Sequence, residues 1–236
     1  MLLIRYGYGM YFDPTYFLIV IGMLISLAAS ANVNGTFSKY AKVRSMSGLT
    51  GAEAARRVLN SCGIYDVRIE RVSGKLTDHY DPRSRILRLS DSTYGSDSVA
   101  AVCVAAHECG HAIQHQKKYG PLVLRSTLVP LANFGSTASW PIFILGLIMS
   151  LRPLIYAGIL LFTLAVLFQL VTLPVEFNAS SRAVRVLENT GMLGTAELKD
   201  AQKVLRAAAM TYVASLAASI LQLLRLLILA GGRDRD

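Results

Sequence analysis

The sequence predicts a mainly α membrane protein, with about four transmembrane helices and a small α+β unit that carries a helix with the pattern H-E-x-x-H. Three observations lead there. The 236-residue chain is 53% hydrophobic and only 17% charged, with mean hydropathy +0.43, which is too apolar for an ordinary soluble domain. Four long stretches carry no charge or almost none. A polar region separates the first of these from the second, and the paired histidines lie near its end.

The net charge of +9 could indicate a nucleic-acid partner, but the basic residues are not interleaved with aromatics in a compact patch. They flank the apolar runs, as basic residues do at membrane boundaries, so no nucleic acid is expected. The three cysteines, Cys62, Cys103 and Cys109, are odd in number and lack C-x-x-C spacing, which argues against a disulfide framework and fits a reducing compartment.

Residues 14–38 are uncharged, and the core 16–31 is long enough for a tilted span. A cleaved signal peptide would look similar. The apolar core is long, however, and only one basic residue, Arg5, precedes it, which favours a retained helix over 12–31.

The region 32–125 reads as a membrane-proximal catalytic unit. Thr50-Gly51-Ala52-Glu53 is a capping box that opens a helix over 52–62, with Ala55, Val58 and Leu59 on one face and Gly63 at its end. Residues 67–72 alternate and read as a strand. Ser73-Gly74 and Asp81-Pro82 read as turns, and 85–89 as a second strand. The stretch 98–116 is rich in Ala, Val, Glu and Gln, contains no Pro and has one Gly, so it suits a helix, with Asp97 or Ser96 as N-cap. An edge strand beside that helix would accept an extended peptide as a further strand. A sheet that only supports the helix explains the same pattern.

Residues 126–175 read as a transmembrane hairpin. Both halves are uncharged, and Arg152-Pro153 forms a very short connection. Pro130 and Pro141 predict a kink or a broken span in its first half. A helical segment follows over 176–206, with Pro174 starting a new turn just before it. The last span is 207–230, where Arg225 is close enough to the end to snorkel.

Basic residues near the membrane set the orientation. Lys39, Lys42, Arg44, Lys117, Lys118, Arg125, Arg182, Arg185, Lys203 and Arg206 fall on one side. Arg5, Arg152, Arg233 and Arg235 fall on the other, offset by Asp13, Asp234 and Asp236. The bias puts the histidine helix on the cytoplasmic side, with both termini outside.

Residues four apart share a helix face, about 6 Å apart along the axis. His107 and His111 can therefore close on one metal ion, and zinc accepts imidazole nitrogen at about 2.0–2.1 Å. Glu108 would sit beside the ion as a base for water and not as a ligand. Two histidines that merely pack are the bland alternative. Cys109 points off the histidine face and reads as packing.

A third ligand is needed. His115 lies on the same face but about 12 Å from His107, too far to share an ion. A longer histidine motif would need Gly at position 114 and His at 117, where this chain has Gln114 and Lys117. Thermolysin-like sites take a glutamate from a later helix. Glu176 stands where the hairpin leaves the membrane, on the same side as the histidine helix, and a carboxylate at that boundary is costly unless bound or paired. An interfacial Glu176 paired with Arg182 is the alternative. Glu188 and Glu197 read as solvated helix positions.

Four stretches carry a family resemblance: Gly51-Ala-Glu-Ala-Ala-Arg-Arg, Leu76-Thr-Asp-His-Tyr-Asp-Pro-Arg, Ala105-Ala-His-Glu-Cys-Gly-His-Ala-Ile-Gln-His and Leu173-Pro-Val-Glu-Phe-Asn-Ala-Ser. They resemble the YugP-type neutral zinc metallopeptidases, which are bacterial membrane proteins of similar length, over nearly the whole chain. The element around Glu176 is also similar to the second metal motif of the CAAX prenyl proteases and HtpX-type peptidases, where an Asp follows the ligand Glu by four residues. The resemblance implies a gluzincin-like metalloendopeptidase with one Zn2+ per chain. His107, His111 and Glu176 would be its metal ligands and Glu108 its catalytic base. Position 180 here is Ser180, so the histidine-orienting Asp of the relatives is replaced by a neutral acceptor, and Asn178 is a further contributor.

The expected partners are a peptide or protein substrate and membrane lipid. The expected location is the bacterial inner membrane, with the active site on the cytoplasmic side. His79 and Tyr80 are candidates for oxyanion stabilisation, with turn chemistry as their plain alternative. His115 reads as a polar helix residue. The rival function is a catalytically silent zinc-binding membrane scaffold or partner subunit. It would ordinarily fill all four metal positions with protein ligands, and no fourth ligand is evident.

Overall fold

A computed structural model of the chain describes residues 4–5 and 11–231. Arg233, Asp234, Arg235 and Asp236, counted in the charge balance above, lie outside the described residues. In chain order the elements are β1 (Ile4–Arg5), β2 (Tyr11–Phe12), α1 (Tyr16–Tyr40), α2 (Gly51–Ser61), β3 (Arg68–Val72), β4 (His79–Asp81), β5 (Ile86–Ser90) and α3 (Asp91–Tyr94). They continue with α4 (Val99–Gln116), α5 (Gly120–Ile148), α6 (Arg152–Asn189) and α7 (Thr195–Gly231). Helices α1, α5, α6 and α7 are each long and apolar enough to cross a membrane. The class is mainly α and membrane-type, as expected.

The chain divides into two compact units. One takes the chain up to Ala29, Leu124–Thr172 and the chain from Thr211; the other takes Ser30–Val123 and Leu173–Met210.

The first unit is built from apolar helix. Its core joins Phe143 on α5, Ile155 and Ile159 on α6, and Leu226 and Ala230 on α7. Glycines let α5 and α6 close on each other. A Cβ on Gly158 would lie 2.7 Å from the Phe143 Cβ, and one on Gly146 would lie 2.7 Å from the Ile155 backbone nitrogen. Trp140, the single tryptophan, meets Phe143 edge to face with ring centroids 6.4 Å apart. Outward-facing Leu27 and Leu160 are 58% and 63% exposed, an apolar surface suited to lipid.

Of the kink or broken span expected at Pro130 and Pro141, the break does not occur: α5 runs through both, and α6 runs through Pro174 as well. A proline costs one amide and crowds the carbonyl four residues back, a local loss that long helices of this kind absorb. Helix α6 continues past 175 and α7 begins before 207, so each joins an apolar span to part of the segment 176–206 in one helix. Arg225 does not snorkel. It is 7% exposed, and its Nη2 lies 3.3 Å from the Asp13 carboxylate. Its Nε donates to Thr15 Oγ1 at 3.1 Å, and its guanidinium sits 4.5 Å over the Tyr16 ring. A charge-assisted pair with an aromatic cover satisfies the guanidinium where it stands.

The second unit is organised on α4, whose residues from Val99 to Gln114 are almost all buried. The capping box forms as read: Thr50 Oγ1 accepts from the Glu53 amide, and the Glu53 carboxylate accepts from the Thr50 amide at 2.8 Å. Helix α2 lays Ala54, Ala55, Val58 and Leu59 into the core with Leu87, Leu89, Val102 and Leu187. The sheet order is β3-β5-β4, with β3 parallel and β4 antiparallel to β5. The two expected strands form with boundaries shifted by one residue.

Strand β4 lies where the sequence reads as a turn. Three residues are too few to show alternation, and the strand is held by tertiary bonds instead. The Asp78 carboxylate accepts from the Ser90 amide at 2.8 Å and from its hydroxyl at 2.9 Å. The N-cap of α4 is Ser98, whose hydroxyl accepts from the Ala101 amide at 3.2 Å. Neither Asp97 nor Ser96 takes that role: Asp97 pairs with Arg44 at 2.6 Å, and Ser96 Oγ bonds Ser98 Oγ. Glu197 is not solvated either. It is 8% exposed and accepts from the Met46 and Gly194 amides at 2.7 and 2.8 Å.

Helix α6 reaches α4 at Gly110, where a Cβ would lie 2.5 Å from the Ala179 carbonyl oxygen. Gly110→Ala must push two helix backbones apart, which typically costs about 1–3 kcal/mol. It is expected to lower the unfolding midpoint followed by far-ultraviolet circular dichroism in detergent. Gly35→Ala, on α1 with open space around the added carbon, should leave the midpoint unchanged or raise it. Equal effects at the two positions would contradict this packing account.

Candidate metal centre

His107 and His111 lie one turn apart on α4, and Glu176 comes from α6. Their ligand-type atoms all fall within 4.8 Å of one another. Glu176 Oε2 lies 3.4 Å from His107 Nε2 and 3.5 Å from His111 Nε2. A tetrahedral ion with ligands at about 2.0–2.1 Å has ligand-to-ligand edges of about 3.3–3.4 Å. The donor set and these two edges fit zinc.

The electrostatics agree. Burial alone would push the Glu176 carboxyl up, but the facing His107 and His111 imidazoles outweigh it and hold that carboxyl below the usual carboxylate range. Burial would also lower the His111 pKa, and the facing Glu176, with the nearby Glu108 charge, raises it instead. Glu108 stands outside the three-atom cluster, 8% exposed, close enough for its charge to act on His111.

The second ring nitrogens are held too. His107 Nδ1 lies 3.1 Å from Ser180 Oγ, so serine does make the contact that the sequence left to a neutral acceptor. His111 Nδ1 lies 3.0 Å from Gln114 Oε1. The Gln114 amide nitrogen donates to the Val175 carbonyl at 2.8 Å and to Asn178 Oδ1 at 3.0 Å. Those two acceptors fix which end of the amide is oxygen, so His111 Nδ1 must donate to it. The lone pair of the neutral ring is then on Nε2, which faces Glu176. Asn178 Oδ1 also accepts from Arg182 Nε at 2.7 Å. Arg182 therefore supports Asn178 and not Glu176. Gln114 is the residue that sequence reasoning missed. Its signal was a glutamine three positions after His111, on the helix face that carries the two histidines.

The remaining candidates are elsewhere. His79 is exposed, and its Nδ1 lies 2.9 Å from the Thr77 carbonyl in its own turn. Tyr80 is half-buried on β4, with its hydroxyl 2.9 Å from His115 Nδ1. Burial pushes the Tyr80 hydroxyl pKa up to about 12, so the hydroxyl is a proton donor at neutral pH. His115 thus ties the edge strand to α4. Cys109 is fully buried, with its sulfur 3.5 Å from the Ala55 carbonyl, and burial pushes its thiol well up. It packs and does not ligate.

Comparisons with known proteins identify the family. A family model described as "putative neutral zinc metallopeptidase" matches residues 15–231. The chain is 48% identical over 221 residues to the "putative membrane protease YugP" of Bacillus subtilis (strain 168), covering 93% of this chain and 98% of that protein. No solved structure matches. The chain belongs to this neutral zinc metallopeptidase family.

Proposed function

We propose that the chain is a zinc-dependent metalloendopeptidase of the membrane. His107, His111 and Glu176 hold one ion per chain, and Glu108 is the general base. The observation that carries the reading is the pair of 3.4 and 3.5 Å edges from Glu176 Oε2 to the two imidazole nitrogens, which match a tetrahedral zinc shell. Zinc, when bound, would supply Lewis acidity towards a peptide carbonyl and acidify a water near it.

The chain's own residues do the rest. The Glu108 carboxylate takes the proton from the attacking water and returns it to the leaving amine nitrogen. Ser180 and Gln114 keep the two imidazoles aimed. Strand β4 pairs only with β5 among the described residues, so its outer edge can take an extended peptide as a further strand. The basic residues around the polar unit favour a cytoplasmic active site in a bacterial inner membrane.

Metal analysis and cleavage of an unfolded protein test the assignment together. Wild type should carry about one zinc per chain, and Glu176→Ala should lose it. Glu108→Gln should keep its zinc while cleavage falls by at least about a hundredfold. A full zinc complement in Glu176→Ala, or an active Glu108→Gln, would refute the corresponding role. A wild type that holds zinc tightly and cleaves nothing would favour the scaffold reading.

Gln114→Leu should weaken zinc binding about 10–100-fold against a competing chelator, since it frees the His111 ring. Unchanged affinity would remove Gln114 from the centre. The raised His111 pKa has a definite sign. The ring holds its proton to higher pH than an ordinary histidine, and a metal needs it deprotonated. Zinc affinity should therefore fall as pH drops, starting above the ordinary histidine range near 6.5. A flat affinity from pH 8 to pH 6 would contradict this.

A further inference from the structure

A groove of about 360 Å³ lies in the polar unit between the C-terminal part of α1 and the N-terminal half of α7, remote in sequence from the metal centre. Its walls follow helical spacing. Asn32, Thr36 and Lys39 form one stripe on α1, and Lys203, Arg206 and Met210 form another on α7. Buried Tyr40 and Ala207 make an apolar floor.

The charge is one-sided. Lys39 Nζ and Lys203 Nζ lie 5.3 and 5.8 Å from the centroid of the same Tyr40 ring, and Arg206 adds a third cation. Asp200, 2.8 Å from Lys203, offsets one of the three. The metal chemistry makes no use of this charge.

Position along the chain identifies the occupant. Lys39 directly follows the uncharged run 14–38, and Arg206 directly precedes the uncharged run 207–224. Both cations therefore mark the polar boundary of an apolar helix, the level of phospholipid phosphates. On the apolar side of that boundary the groove continues along Asn32, Thr36 and Met210. A free phosphate would use the cations alone. A lipid uses the cations for its phosphate, the asparagine and threonine for its glycerol oxygens, and the methionine for the start of an acyl chain.

We propose that this groove is a binding site for the headgroup of an anionic phospholipid, with its phosphate held by Lys39, Lys203 and Arg206. The inference is independent of the peptidase reading.

Native mass spectrometry of the delipidated full chain in detergent tests it, with phosphatidylglycerol, phosphatidylcholine or inorganic phosphate added in separate arms. The variant is Lys39→Gln/Lys203→Gln/Arg206→Gln, which keeps polar side chains at three exposed positions. The control is Arg57→Gln/Arg83→Gln/Lys118→Gln, which removes the same charge from exposed positions elsewhere. Each basic group near an anionic lipid is worth about fivefold in affinity. Phosphatidylglycerol should therefore bind wild type and control alike and lose about tenfold or more in the variant. Phosphatidylcholine should bind more weakly to all three and change little among them, and inorganic phosphate should not compete. Arg206→Lys in an otherwise native chain should retain most of the binding, which also guards against a misfolded triple variant. Equal losses in variant and control would overturn the site, as would no preference for the anionic lipid. Competition by inorganic phosphate at the lipid's own concentration would make it a phosphate site instead and overturn the lipid assignment.

Discussion

The close approach of α6 to α4 is the constraint on which the centre depends. A metal shell of two imidazoles and one carboxylate needs three donors from two helices within a few ångströms. His107 and His111 are placed by a single turn of α4, which is local geometry. Glu176 is not local: α6 must come near enough for a glutamate to reach. Gly110 makes this possible, because at that point any side chain would run into the Ala179 carbonyl. Glu176 stands one turn before Ala179, and Ser180 directly follows it. One backbone contact therefore brings in both the carboxylate and the hydroxyl that meets His107.

The polar groups around the centre form a chain of bonds and not a scatter. Arg182 donates to Asn178, Asn178 accepts from Gln114, and Gln114 accepts from His111. Each buried polar atom in that chain is satisfied by the next, which is what lets charged and amide groups stand in so apolar a sequence. The same logic holds at the far end of α7, where Asp13, Thr15 and Tyr16 take up the charge of Arg225. Both cases replace solvent with fixed partners. Neither partner set could be found from hydropathy, because hydropathy records the cost of a buried charge and not its remedy.

What the sequence made legible was local or strongly periodic. The capping box of α2, the histidine pair on α4 and the apolar runs each rest on residues a few positions apart, and each appears with little error. Topology pointed to Glu176, since a hairpin returns the chain to the side it left, and Glu176 does lie beside the histidine pair. Tertiary bonds decided the rest. Strand β4 is three residues long and held from outside by Ser90 and His115. Ser98 caps α4 because Asp97 is already engaged by Arg44. Glu197 is engaged by two amides, one of them from Met46, 151 positions away. Gln114 is the plainest case. Its residue type and spacing were visible, but its purpose depends on where Val175 and Asn178 arrive. At Pro130 and Pro141 the sequence offered a kink or a break, and α5 does not break at either.

The packing of Trp140 against Phe143 has a practical consequence for anyone watching this chain in solution. With one tryptophan, on α5 in the apolar unit, selectively excited indole emission reports on that unit alone. It is a spectroscopic label supplied by the sequence. Indole emission and far-ultraviolet dichroism followed side by side therefore separate the two units without any added dye. Their midpoints coincide if the units melt together and part if they do not.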